Sequence, residues 1–87
     1  MGPQRQVDVH IEVRLFATLR RYAPELGVGE SLHLSVEPGT TMSAIRDQLG
    51  LPESEVRIVM RNHVQADLGD EAHEGDRIAF VPAIAGG

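Results

Sequence analysis

The sequence predicts an α+β domain of two layers, in which one main helix covers a mixed sheet of about five strands. Three observations lead there. Apolar and polar residues alternate with period two in several short stretches, the pattern of half-buried strands. Met42, Ile45 and Leu49 fall at i, i+3 and i+7, one apolar face of a single helix. The connection between the first two strand patterns is too short for a parallel crossover, so these strands are expected to be antiparallel neighbours.

The elements follow in order. Residues 1–6 are polar, contain Gly2-Pro3 and read as a flexible lead-in to a domain spanning 7–82. Val7, Val9, Ile11, Val13 and Leu15 alternate with Asp8, His10, Glu12, Arg14 and Phe16, which gives the first strand and puts Phe16 on its otherwise polar face. Ala17–Ala23 holds good helix formers, and Pro24 stops them because the residue before proline is pushed off helical geometry. Gly27-Val28-Gly29 is a loop, and Leu32, Leu34 and Val36 mark the second strand. Glu37-Pro38-Gly39-Thr40 has Pro and Gly at the central positions of a turn. Thr41 is placed to cap a helix over about 42–49, with Gly50 after its last turn and Pro52 blocking continuation. Val56, Ile58 and Met60 alternate as a third strand. Arg61-Asn62-His63 turns the chain into Val64 and Ala66, with Asn62 suited to a left-handed conformation. After an acidic, loop-like stretch at 67–76, Arg77–Pro82 forms the last strand. A mobile tail, 83–87, remains.

Composition narrows the function. Eighty-seven residues make one domain, and its few aromatics (Phe16, Tyr22 and Phe80) leave a mainly aliphatic core. The formal charge of −5 argues against nucleic acid, which calls for a basic stripe, and suits either a basic partner surface or solubility. No apolar run approaches a membrane span and the N-terminus lacks the apolar stretch of a signal peptide, so a cytoplasmic location is expected. Without cysteine, the chain has neither a disulfide nor a thiol nucleophile. The four histidines lack metal-ligand spacing, so no metal is expected. Asp67, Asp70, Glu71, Glu74 and Asp76 do not match a calcium loop and read as a solvated loop. Met42 and Met60 read as core filler.

The tail Ala83-Ile84-Ala85-Gly86-Gly87 is the feature that suggests chemistry. Glycine has no Cβ, so a Gly-Gly end can thread a narrow slot and bring its main chain against another protein's catalytic groups. A carboxylate on such a tail is a candidate reaction centre. Extended, five residues reach about 17 Å at ~3.3 Å each. The eight basic residues are all Arg. A compositional preference for Arg explains this first; in addition, a lysine-free chain has no side-chain amine with which an activated acyl group could react. Phe16 and Val81 both fall opposite the core-facing parity and are candidate docking residues, as is Arg20 near the same edge. Their competing readings are an aromatic packed on the short helix for Phe16 and an ordinary solvated cation for Arg20.

Taken together and in order, four segments resemble the MoaD/ThiS family of ubiquitin-like sulfur carriers over residues 8–87. They are Val13–Arg20, Pro38–Thr41, Glu74–Pro82 and the Gly-Gly end. The first segment brings the chain nearest to the small subunits of molybdopterin synthase. The Ile84–Gly87 end and the single Pro82 before it look more like the thiazole carriers. The resemblance implies the β-grasp (ubiquitin-like) fold and a non-enzymatic role: a carrier that donates sulfur to a partner enzyme.

It also implies roles for the tail. An E1-like adenylating enzyme, similar to MoeB or ThiF, would use ATP to activate Gly87, with Gly86 giving access. A persulfide donor would then convert Gly87 to a thiocarboxylate. A large MoaE-like subunit of molybdopterin synthase would accept the tail, with Phe16, Arg20, Val81, Pro82, Ala83, Ile84 and Ala85 at the interface. No cofactor would be bound by the chain itself. Three readings stand beside this one: a carrier for thiazole, tungsten cofactor or another sulfur-containing metabolite; a protein modifier joined through Gly87; and a binding-only β-grasp module.

Overall fold

The computed structural model describes residues 8–27 and 29–83, so the lead-in and the final four residues, Ile84–Gly87, lie outside it. The strands are β1 (Val9–Leu15), β2 (Leu32–Val36), β3 (Val56–Arg61), β4 (Val64–Ala66) and β5 (Arg77–Pro82), and the helix α1 is Met42–Gln48. The five strands form one sheet in the order β2-β1-β5-β3-β4. β1 runs antiparallel to β2 and parallel to β5. β3 is antiparallel to both β4 and β5. This is the mixed two-layer architecture that the sequence predicts, with the parallel β1–β5 pair at its centre.

The inner face of the sheet carries the core. Ile11, Val13 and Leu15 of β1, Val59 of β3 and Ile78 and Phe80 of β5 pack with Leu19, Met42 and Ile45. Phe80, Met42, Ile45 and Leu19 are fully enclosed. Burial of each such side chain contributes roughly 1.5–3 kcal/mol relative to exposure. α1 begins where the Thr41 hydroxyl accepts a bond from the Ala44 N–H, as an N-cap should. The loop after β4 closes over the same end: Met42 N–H donates to Asp70 O and Ser43 N–H to Leu68 O, each at 2.9 Å.

Two turns use left-handed backbone where the sequence foretells it. Gly39, with φ +91°, completes the turn after β2, and Asn62 and His63, with φ of 53° and 71°, form the two-residue β3–β4 hairpin. His63 is the member of that pair that composition does not announce.

Three sequence expectations need correction. The segment after β1 is a 3-10 helix, Ala17–Tyr22, entered through Ala17 at φ 51°, which costs a non-glycine residue about 1–2 kcal/mol. Met60 is not core filler: it is half-buried and lines the outer face. The cause is a bulge. Val56 pairs with Pro82 but Ile58 with Val81, so one extra residue on β3 shifts its parity. Val56 and Val59 then face the core, while Ile58 and Met60 turn outward. Asp76 is not solvated either. At 6% exposure it accepts from Asn62 Nδ2 at 3.0 Å and from the His73 N–H at 2.8 Å, so it ties the β3–β4 turn to the start of β5.

Candidate functional site

The outer face of the sheet carries no helix among the described residues, and on it lies a groove of about 670 Å³. Strand registers build its floor. Met60 pairs with Ala79 and Ile58 with Val81 across β3–β5. Leu15 pairs with Phe80, which brings the next residue, Phe16, to the level of Val81. Phe16, Val81, Ile58, Met60 and Ala79 therefore form one apolar strip that crosses three strands. Phe16 is held at its end by two main-chain bonds: its N–H donates to Phe80 O at 3.2 Å, and its carbonyl accepts from the Leu19 N–H at 3.0 Å. The residue remains 42% exposed.

Charged residues rim the strip. Glu12 pairs with Arg77 at 3.4 Å and lies 3.8 Å from His33. Arg14 Nε donates to Ser31 Oγ at 3.4 Å. A second, smaller cavity of about 280 Å³ adjoins the strip past the end of β1 and is lined by Arg14, Phe16, Arg20 and Glu30 among others. Phe16 and Arg14 thus belong to both cavities.

The 3-10 helix that carries Arg20 is anchored from its other side. Tyr22 Oη donates to Glu55 at 2.6 Å, and Arg21 pairs with the same carboxylate. Arg21 also lies over the Tyr22 ring, 5.2 Å from its centre. The Tyr22 hydroxyl and then the Glu55 charge push the Arg21 guanidinium above its ordinary value.

Of the residues singled out in the sequence, the structure brings Phe16 and Val81 to one groove and Arg20 to the cavity beside it. Pro82 is buried with the inward set, so it shapes the tail's departure through its backbone, and Ala83 is exposed. Ile84, Ala85, Gly86 and Gly87 lie outside the described residues. Sequence reasoning missed Ile58, Met60 and Ala79. Ala79 shares the parity of Val81 and was readable; Ile58 and Met60 required the bulge. Among the described residues, the groove offers an apolar strip with a charged rim, an arrangement suited to binding.

Residues 13–87 match the model of the ThiS family. No curated protein matches the sequence. Among solved structures the fold is similar to SAMP1 from Haloferax volcanii, with a TM-score of 0.67 and 23% identity over 90% of this chain and 99% of that one. It is similar to a Caldiarchaeum subterraneum ubiquitin, with a TM-score of 0.62 and 18% identity over 93% and 100% of the two chains. It is also similar to a protein described as a putative molybdopterin converting factor, subunit 1, from Pyrococcus furiosus, at 0.66 and 14% over 87% and 99%. At these identities the likenesses establish the β-grasp fold.

Proposed function

The chain belongs to the ThiS family, and on that premise we propose that it is a cytoplasmic sulfur carrier whose Gly87 is activated and thiolated by partner enzymes. One observation supports the reading: the family match runs from Val13 in β1 to Gly87, so the Gly-Gly end lies within the matched span. The fold gives that tail a setting. It leaves from β5, a central strand, beside an apolar groove that a partner can cover while the tail enters its active site.

The chemistry is activation of Gly87, transfer of sulfur to it and release of the thiolated chain. In an E1-like enzyme, the Gly87 carboxylate attacks the α-phosphate of ATP; an acyl adenylate forms and pyrophosphate leaves. The terminal sulfur of a partner's persulfide then attacks the acyl carbon and expels AMP, leaving an acyl disulfide. A partner thiol cleaves that disulfide, so Gly87 ends as a thiocarboxylate and the partner is oxidised. The chain needs no cysteine for any of these steps.

For the destination of the sulfur we favour a MoaE-like large subunit and the dithiolene of molybdopterin. The test is conversion of cyclic pyranopterin monophosphate by the cognate large subunit. Thiolated full-length chain should support it, and a chain ending at Ala85 should not. Equal product from both would remove the tail from the mechanism.

A modifier role is favoured by a separate observation, the likeness to SAMP1 and to an archaeal ubiquitin. Its mark would be Gly87 in isopeptide linkage to lysines of other proteins. The lysine-free chain offers no side-chain amine to a second copy, so such conjugates would not extend through its lysines.

A further inference from the structure

We propose that the groove and the adjoining cavity form a cationic docking edge, and that the adenylating partner meets it with an acidic surface. The inference rests on the carrier reading above and names the charge of its first partner. The net charge of −5 points toward a basic partner, but the distribution of charge reverses that expectation at the site. Four of the seven described arginines already have a carboxylate: Arg21 has Glu55, Arg46 has Asp47, Arg61 has Asp76 and Arg77 has Glu12. Among the described residues, Arg14, Arg20 and Arg57 have none.

These three share one end of the sheet. Arg14 and Arg20 line the same cavity on either side of Phe16. Arg57 is the extra residue of the β3 bulge, opposite Val81 and Pro82, where β5 hands over to the tail. Of the carboxylates that line the two cavities, Glu12 is held by Arg77 and Glu30 accepts from the Gly27 N–H. By contrast, Asp67, Asp70 and Glu71 lie in the loop that closes over the start of α1, away from the outer groove. Exposed, unpaired cations around an apolar strip lose little on meeting carboxylates, and they steer encounter before the apolar contact forms.

The test is ATP–pyrophosphate exchange by the cognate adenylating enzyme at low and at raised salt, with the carrier varied. The double variant R14E/R20E should raise the carrier's KM about tenfold at low salt with kcat nearly unchanged, and salt should narrow the gap. R14Q/R20Q should fall between it and the wild type, and D67N/D70N/E71Q should leave KM unchanged. Circular dichroism and thermal melting of each variant confirm the fold. If R14E/R20E folds and its KM matches wild type, or falls, the cationic edge is wrong while the carrier reading stands. A KM that rises equally for D67N/D70N/E71Q also overturns it, because general charge would then be the cause. If wild-type chain supports no exchange at any salt, the carrier reading itself fails and takes this inference with it.

Discussion

The two faces of this sheet are built from the same strands yet make opposite use of apolar residues. The inner face is closed. Ile11, Val13, Val59, Ile78 and Phe80 are buried against α1 and the 3-10 helix, where tight packing converts side-chain volume into stability. The outer face is apolar at its centre but not covered by any of the described residues, with Phe16 and Val81 in a charged frame. Apolar surface of that kind contributes little to the isolated fold and much to association. The difference teaches that stability and recognition are separated here by the pleat: each strand sends alternate residues to one task or the other.

That separation predicts a graded series. The largest loss of stability should come from Phe80→Ala, about 3–5 kcal/mol in denaturant unfolding, because Phe80 is enclosed at 0% exposure. Asp76→Ala should cost about 1–3 kcal/mol by leaving the Asn62 amide and the His73 N–H without their acceptor. Across the pleat, Phe16→Ala should change stability by no more than about 0.5 kcal/mol, yet raise the carrier's KM with its adenylating enzyme. A Phe16→Ala loss approaching that of Phe80→Ala would break the comparison.

The smallest effect concerns Glu74. The His10 backbone N–H, 2.9 Å away, holds this exposed carboxyl below its usual range. A group whose folded value is depressed stabilises the fold above its unfolded value, and the contribution is lost as pH falls through the folded one. The melting temperature of wild type should therefore exceed that of Glu74→Gln slightly at neutral pH. The gap should close as the carboxyl protonates, on the acid side of the ordinary carboxylate range.

Much of this plan was legible in the sequence because it depends on local rules. Period-two alternation found β1, β2 and β5, and Thr41, Gly50 and Pro52 bounded α1 within about a residue. The parity of β1 and β5 also placed Phe16 and Val81 on one face. What was not legible depends on partners distant in sequence. The β3 bulge exists only in register with β5, and it moved Ile58 and Met60 out of the core. Asp76 looks like its acidic neighbours until Asn62, fourteen residues earlier, supplies the amide that buries it. That Arg14 and Arg20 have no carboxylate partner among the described residues likewise emerges only once the other arginines have found theirs. The end of the candidate site, Ile84–Gly87, lies beyond the described residues, so its role rests on the sequence and on the family match.

The central claim is that the domain presents Gly87 as a sulfur-carrying terminus. Intact mass of the chain after incubation with its adenylating enzyme, ATP and a persulfide donor tests it directly. The account predicts an increment equal to the exchange of one oxygen for sulfur, located on the C-terminal peptide and lost when Gly86 and Gly87 are deleted. A chain whose mass stays unchanged under conditions in which the enzyme turns over ATP on it would contradict the claim.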